Sequence, residues 1–216
     1  MKYLDQALEI LLSIYLWLCI FLAVFYCFDK AFAGEIKIPQ KAFEYREYLI
    51  KESRFVWGLT APSATFAAQI HTESCWNERA KSPAGAMGLT QFMPKTADWI
   101  GSIYTELAEA DPYNPYWAIN ALVLYNKYHF DRIQAVDFAN KIAFALSAYN
   151  GGLGWVLRDK QKAKEYGYNP YVYFDNVEKV NSGRSKKAFR ENRNYVDFIK
   201  KREKAYMDAG FGNGSF

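Results

Sequence analysis

The chain has 216 residues, of which 51% are hydrophobic and 18% aromatic, and 27 Lys and Arg against 23 Asp and Glu give a net charge of +4. It is long enough to bury one ordinary core and too apolar to stay disordered, and its charge is smaller than a nucleic-acid-binding domain usually carries. Of three cysteines, Cys19 and Cys27 lie in an apolar N-terminal run and only Cys75 lies beyond it, so no disulfide framework can staple the remainder.

From Ile10 to Phe28 run 19 residues without a charge. As a helix rising about 1.5 Å per residue they nearly cross a hydrocarbon layer of about 30 Å. Ala31 and Ala33 then form an A-x-A pattern. Residues 1–33 read either as an export signal cleaved after Ala33, which the A-x-A site favours, or as a retained anchor, which the length of the apolar run favours. Both readings place residues 34–216 outside the cytoplasmic membrane, in the periplasm or cell envelope, and the second makes the membrane a partner.

Beyond Gly34 there is no strand-like alternation and no internal repeat, and helix punctuation recurs throughout. The fold class is therefore all-α. Pro39 opens a helix near 40–55, Ser63 caps one running to about 75, and Pro94 and Gly101 bracket the next. Asn114-Pro115 start a helix to about 130, and "VDFANKIAFALSAYNGG" is a helix stopped by Gly151 and Gly152. Three more helices are expected near 154–166, 170–181 and 184–207, and the tail 208–216, ending "GFGNGSF", is expected to be loose.

One acidic residue stands out of place. On the helix from Ser63, Phe66 and Glu73 are seven positions apart and point within about 20° of each other, with Ile70 about 60° away, so Glu73 lies on the apolar stripe. A carboxyl group stripped of water keeps its proton to higher pH and can donate it to a leaving oxygen. Ile142, Leu146 and Tyr149 are spaced i, i+4, i+7 and put the Tyr149 hydroxyl on the core-facing side of another helix. Asn150 follows it, able to cap the turn or bind an amide. Gly85 and Gly88 suit a turn with positive φ or a close approach to the backbone.

These residues carry a resemblance. The run Glu73-Ser74, Ala80, Ser82, Gly85-Ala86, Gly88-Leu89, Gln91, Met93-Pro94 and Thr96-Ala97 resembles the soluble lytic transglycosylase family, the goose-lysozyme-like enzymes that cut peptidoglycan. "DPYNPYWAINALVLY" is similar to the family's Asp-Pro-x-x-Asn segment, "AYNGG" to its Ala-Tyr-Asn motif and "ENRNYV" to its Glu-x-Arg-x-Tyr-Val motif, in the same order and over about Phe66 to Val196. Thr90, Gly152 and Asn192 depart from the pattern, standing where Met, Ala and Thr are usual.

The resemblance implies a lysozyme-like domain over 34–207 that cleaves the bond between N-acetylmuramic acid and N-acetylglucosamine in peptidoglycan glycan strands, leaving 1,6-anhydromuramic ends. It implies Glu73 as the sole acid and base, and Ser82 orienting or contacting it near the sugar. Gln91 and Met93 would line the cleft floor, and Tyr149 would hydrogen-bond toward Glu73. Asn150 would hold substrate or loop, and Tyr195 would close the site. Ordinary glycosidases use two carboxylates, and Asp98, Asp111 and Asp131 offer no defensible second position. The competing readings are a goose-type lysozyme-like hydrolase of the same bond and a peptidoglycan-binding module without turnover.

Other chemistries find little support. His71 precedes Cys75 by four positions, but no thiol-protease signature surrounds them. His71 and His129 are far apart with no H-E-x-x-H, and "GGLG" follows a helix instead of a strand, so neither a metal, nor a cofactor, nor nucleic acid is expected.

Overall fold

The structure, a computed structural model, describes residues 36–216. The apolar run 10–28 and the Ala33 site lie outside them, and no helix among the described residues is long and apolar enough to cross a membrane. Those residues form seven α-helices and no ladder longer than an isolated bridge. They are α1 (Gln40–Trp57), α2 (Ser63–Ser74), α3 (Pro94–Ile103), α4 (Pro115–Arg132), α5 (Phe138–Gly151), α6 (Leu153–Glu165) and α7 (Lys186–Asp208).

Local chemistry sets most of the boundaries. The Asn114 side chain accepts from the backbone N–H of Tyr116 and Trp117 at 3.0 and 3.3 Å, and Pro115 fills the first position of α4, where a missing N–H costs nothing. Asp137 caps α5 by accepting from Asn140 N–H at 2.8 Å. The expectation for Ser63 fails: it is the first residue of α2, behind Pro62, and its side chain makes no capping bond. The carbonyl of Asn213 serves that end instead, accepting from Ala64 N–H at 2.9 Å.

Gly101 does not stop α3, which continues to Ile103. A Cβ there would lie 2.7 Å from the carbonyl oxygen of Leu107, so the glycine permits a close approach within the fold. The helix expected over 170–181 does not form either; the segment is turns with one 3-10 turn at Val177–Lys179. Its backbone bonds to side chains instead: Asn140 Oδ1 accepts from Tyr173 N–H at 2.7 Å and Asn169 Oδ1 from Tyr171 N–H at 2.9 Å. Asparagine side chains compete with helical hydrogen bonds in this way.

The core is organised around α2, in which every residue from Ser63 to Ile70 is buried. Its face bearing Thr65 and Gln69 meets α7, where they bond to Glu203 and Tyr195, while α5 packs against α4, α6 and α7, and α1 covers α2 and α4. Glu73 lies in the last turn of this central helix and so is presented from the interior of the protein.

The tail is not loose. Phe211 is fully buried against Tyr206, with ring centroids 4.9 Å apart, and Phe216 packs on Phe174. Glu203, buried on α7, accepts from the backbone N–H of Ser215 at 2.7 Å and of Phe216 at 2.9 Å as well as from the Thr65 hydroxyl. A glycine-rich tail thus docks because two aromatic rings bury apolar area and one buried carboxylate accepts its backbone donors.

Candidate active site

Glu73 ends on the floor of a cleft of about 820 Å³, lined among others by Ser82, Gln91, Met93, Tyr149, Asn150 and Tyr195. All seven residues singled out in the sequence meet at this one cavity. Part of the Glu73 surface faces the cleft, yet its carboxyl is so enclosed by protein that burial pushes its pKa up to about 8, against the opposing effect of a hydrogen bond from Tyr195.

That bond corrects the expected partner. The Tyr195 hydroxyl, on α7, donates to Glu73 Oε1 at 2.5 Å, whereas the Tyr149 hydroxyl donates to the backbone oxygen of Thr90 at 2.8 Å. Tyr149 is close enough for the Glu73 charge to raise its pKa further above the usual phenol value, but burial is the larger cause, and its ring forms the wall beside the carboxyl. Tyr195 is itself oriented from behind: Gln69 Nε2 donates to its hydroxyl at 3.0 Å, and Asn126 Nδ2 donates to Gln69 Oε1 at 2.7 Å. Gln69, Tyr195 and Asn126 are all buried, so this chain fixes the hydroxyl under the acid.

The loop from Cys75 to Met93 forms the facing wall. Ser82 does not hydrogen-bond Glu73; its hydroxyl accepts from Ala86 N–H at 2.9 Å and holds the turn that lines the cleft. Gln91 sits at φ 51°, and its Nε2 donates to the carbonyls of Gly88 at 2.9 Å and Ala80 at 3.3 Å, stapling the loop. Gly88 has φ 72°, and a Cβ would lie 1.7 Å from the carbonyl oxygen of Pro112, so the backbone it approaches is the "DPYNP" segment and not a ligand. Ser74 Oγ donates to the Leu89 carbonyl at 2.7 Å, tying the end of α2 to the same loop. Met93 is exposed on the cleft rim.

Behind Asn150 lies a buried polar hub. Asn192 Nδ2 donates to Asn150 Oδ1 and to the Ser147 carbonyl, both at 2.9 Å, while its Oδ1 accepts from Ser147, Arg184 and Arg193. Arg184 and Arg193 both pair with Asp159 Oδ2, at 2.5 and 2.7 Å, and Asp159 Oδ1 accepts from the Ser182 hydroxyl and N–H. Asn192, where the family pattern usually has Thr, therefore joins α5, α7 and the loop before α7.

Two cleft features escaped the sequence reading. Glu191 lines the cavity from α7, exposed, one helical turn before Tyr195 and inside the Glu-x-Arg-x-Tyr-Val run that should have flagged it. Lys187 and Arg190 stand beside it and make that rim basic. The far wall is a packed set of rings, with Tyr125 5.2 Å from Tyr149 and 5.7 Å from Phe92. His129 backs Tyr125 at 4.2 Å, buried with neither ring nitrogen hydrogen-bonded within the described residues, and burial holds it neutral with a pKa of about 3.

His71 and Cys75 do not form a nucleophile pair, since His71 Nδ1 lies 2.9 Å from the Tyr206 hydroxyl and Cys75 is exposed. Among the described residues no cluster of three or more His, Cys, Asp or Glu is placed to hold a metal ion.

The chain spans about a third of the length of the curated relatives it matches. It is 28% identical over 180 residues to membrane-bound lytic murein transglycosylase F of Vibrio cholerae, covering 78% of this chain and 31% of that protein. With the Shewanella halifaxensis protein of the same name it shares 33% over 110 residues, covering 50% of this chain and 22% of that one. The crystal structure of the 70 kDa soluble lytic transglycosylase of Escherichia coli has the same fold, with a TM-score of 0.55 at 24% identity over 78% of this chain and 25% of that one. The family model for the transglycosylase SLT domain matches residues 57–172, over half of the chain. The chain belongs to the transglycosylase SLT domain family.

Proposed function

We propose that the domain is a peptidoglycan lytic transglycosylase in which Glu73 acts first as general acid and then as general base. The observation that carries this reading is a protein-enclosed carboxyl group lining a cleft, with a fixed hydroxyl donor beneath it, an enclosure that pushes its pKa up to about 8. Near neutral pH it is protonated and faces the space where a bridging oxygen would lie.

Glu73 protonates the glycosidic oxygen, and the bond from the muramic anomeric carbon to that oxygen breaks as the substrate's N-acetyl oxygen supports the developing positive charge. The Tyr195 hydroxyl stabilises the carboxylate left behind. The muramic 6-hydroxyl oxygen then bonds to the anomeric carbon while its proton passes to Glu73, which regenerates the acid and consumes no water. Holding the nucleophile within the substrate gives it a high effective concentration. Ser82, Gln91 and Asn150 shape and hold the cleft walls, Met93 and Tyr149 pack against sugar faces, and Lys187 and Arg190 attract the carboxylates of the polymer. The apolar segment 10–28 and the relatives' membrane-bound names support action in the cell envelope.

Glu191, a second acid in the same cleft, favours the runner-up, a goose-type lysozyme-like hydrolase of the same bond. Its exposure argues for a rim charge instead. Glu191→Gln should therefore lower kcat on purified sacculi by less than about tenfold, since it removes no proton-transfer step. A loss as large as that of Glu73→Gln would favour the hydrolase.

A further inference from the structure

The ring wall of the cleft does not end where the cavity does. Thr96 on α3 and Tyr125 on α4 line the cavity. One turn further along each helix stand Trp99 and Tyr128, at i+3, which is the same face. Trp99 lies 5.9 Å from Tyr125 and 5.0 Å from Tyr128 between centroids, so the rings of Tyr149, Tyr125, Trp99 and Tyr128 form an unbroken row out of the cleft. Outside it, Trp99 is 38% exposed and Ile103, one turn on, is 45% exposed.

Single exposed apolar residues are ordinary; a contiguous ledge that continues a ligand cleft is a binding surface. Two features show this one to be preorganised. Arg132 lies with its guanidinium carbon 3.5 Å over the Tyr128 ring and its Nη1 on the Tyr128 carbonyl at 3.0 Å, which fixes both side chains. Arg132 has no ion-pair partner among the described residues, since neighbouring Asp131 is taken by Lys127 at 2.6 Å. His129, on the inner side of the same helix, holds Tyr125 from behind as a neutral ring.

On the reading of the cleft as a glycan site, on which this inference rests, we propose that Trp99, with Tyr128 and Arg132, is a further saccharide subsite at the end of the cleft. It takes a pyranose ring of the same strand beyond those held near Glu73. The apolar C–H face of the sugar lies on the indole, and the Arg132 guanidinium donates to hydroxyl or carboxylate oxygens at the ring edge. The ledge thereby gives the enzyme a preference for long strands.

The test uses the full chain and defined glycan oligomers of alternating N-acetylglucosamine and N-acetylmuramic acid, a tetrasaccharide and an octasaccharide. The readout is the ratio of kcat/KM on the long substrate to that on the short one. Trp99→Ala should lower this ratio about tenfold, corresponding to roughly 1.4 kcal/mol of binding used only by long strands. Trp99→Phe, which keeps a ring, should restore most of it. An unchanged ratio in Trp99→Ala, including an equal loss on both lengths, overturns the subsite. If the chain cleaves neither oligomer, the enzymatic reading has failed separately. Calorimetric binding of the same two oligomers to wild type and Trp99→Ala then decides the subsite, with loss of the affinity difference supporting it and persistence overturning it.

Discussion

Glu73→Gln should abolish measurable turnover on purified sacculi, by at least about 10³-fold, and at the same time make the protein more stable near neutral pH. The first effect follows because one group supplies both proton transfers, and general acid-base catalysis is worth about 10²–10⁴-fold where measured. The second follows from linkage. The Glu73 pKa is raised from 4.5 to about 8 by burial, so between these values the unfolded chain has released a proton that the folded protein still holds. Stability from this group is fully present below pH 4.5 and is lost progressively as pH rises toward 8. A neutral amide carries no such penalty. We expect Glu73→Gln to gain up to about 4 kcal/mol at pH 7.5, or roughly 8–16 °C in Tm for a domain of this size, and little at pH 4. Thermal melts at the two pH values check this. A variant destabilised at pH 7.5 would show that the carboxyl is ionised there and held by favourable contacts. The wild-type rate should likewise fall above about pH 8, as the acid loses its proton before substrate binds.

Asp159→Ala should be the most damaging substitution outside the cleft. Asp159 is fully buried and compensates two guanidinium groups, so its removal leaves Arg184 and Arg193 facing each other without a counter-charge. Breaking a buried charge network in this way costs about 3–5 kcal/mol. The damage reaches the site through Asn192, which accepts from both arginines and donates to Asn150. Urea unfolding should show the loss, and what folded protein remains should bind glycan oligomers more weakly. A loss under about 1 kcal/mol would mean that the arginines find water or another acceptor.

The helical class and most helix starts were legible because they depend on neighbours in sequence. Asn114-Pro115 carries its capping chemistry with it, and the seven-residue interval from Phe66 to Glu73 puts a carboxyl on a buried stripe whatever surrounds it. Ordered motifs point to the seven candidate site residues, and the cleft gathers them. What could not be read depends on distant partners. The segment 170–181 has helix-compatible residues, but Asn140, 33 positions away from Tyr173, claims its backbone. The tail looks too glycine-rich to order until Glu203 and the pocket for Phe211 are in place. Tyr149 and Tyr195 were equally eligible partners for Glu73 by residue type. Only the packing of α7 along α2 decides that Tyr195 reaches the carboxyl while Tyr149 turns to the Thr90 carbonyl. Trp99 belongs to no matched motif, and its place emerges from two helices that the sequence does not show to be adjacent.

The most direct test of a single carboxyl serving as acid and then base is the chemical nature of the cut end. Purified sacculi digested with the full chain in ¹⁸O-labelled water and read by mass spectrometry should release fragments with 1,6-anhydromuramic ends only, each one water lighter than its hydrolysed counterpart and free of label. Reducing ends carrying the label would mean that water attacked the anomeric carbon, and would contradict the account.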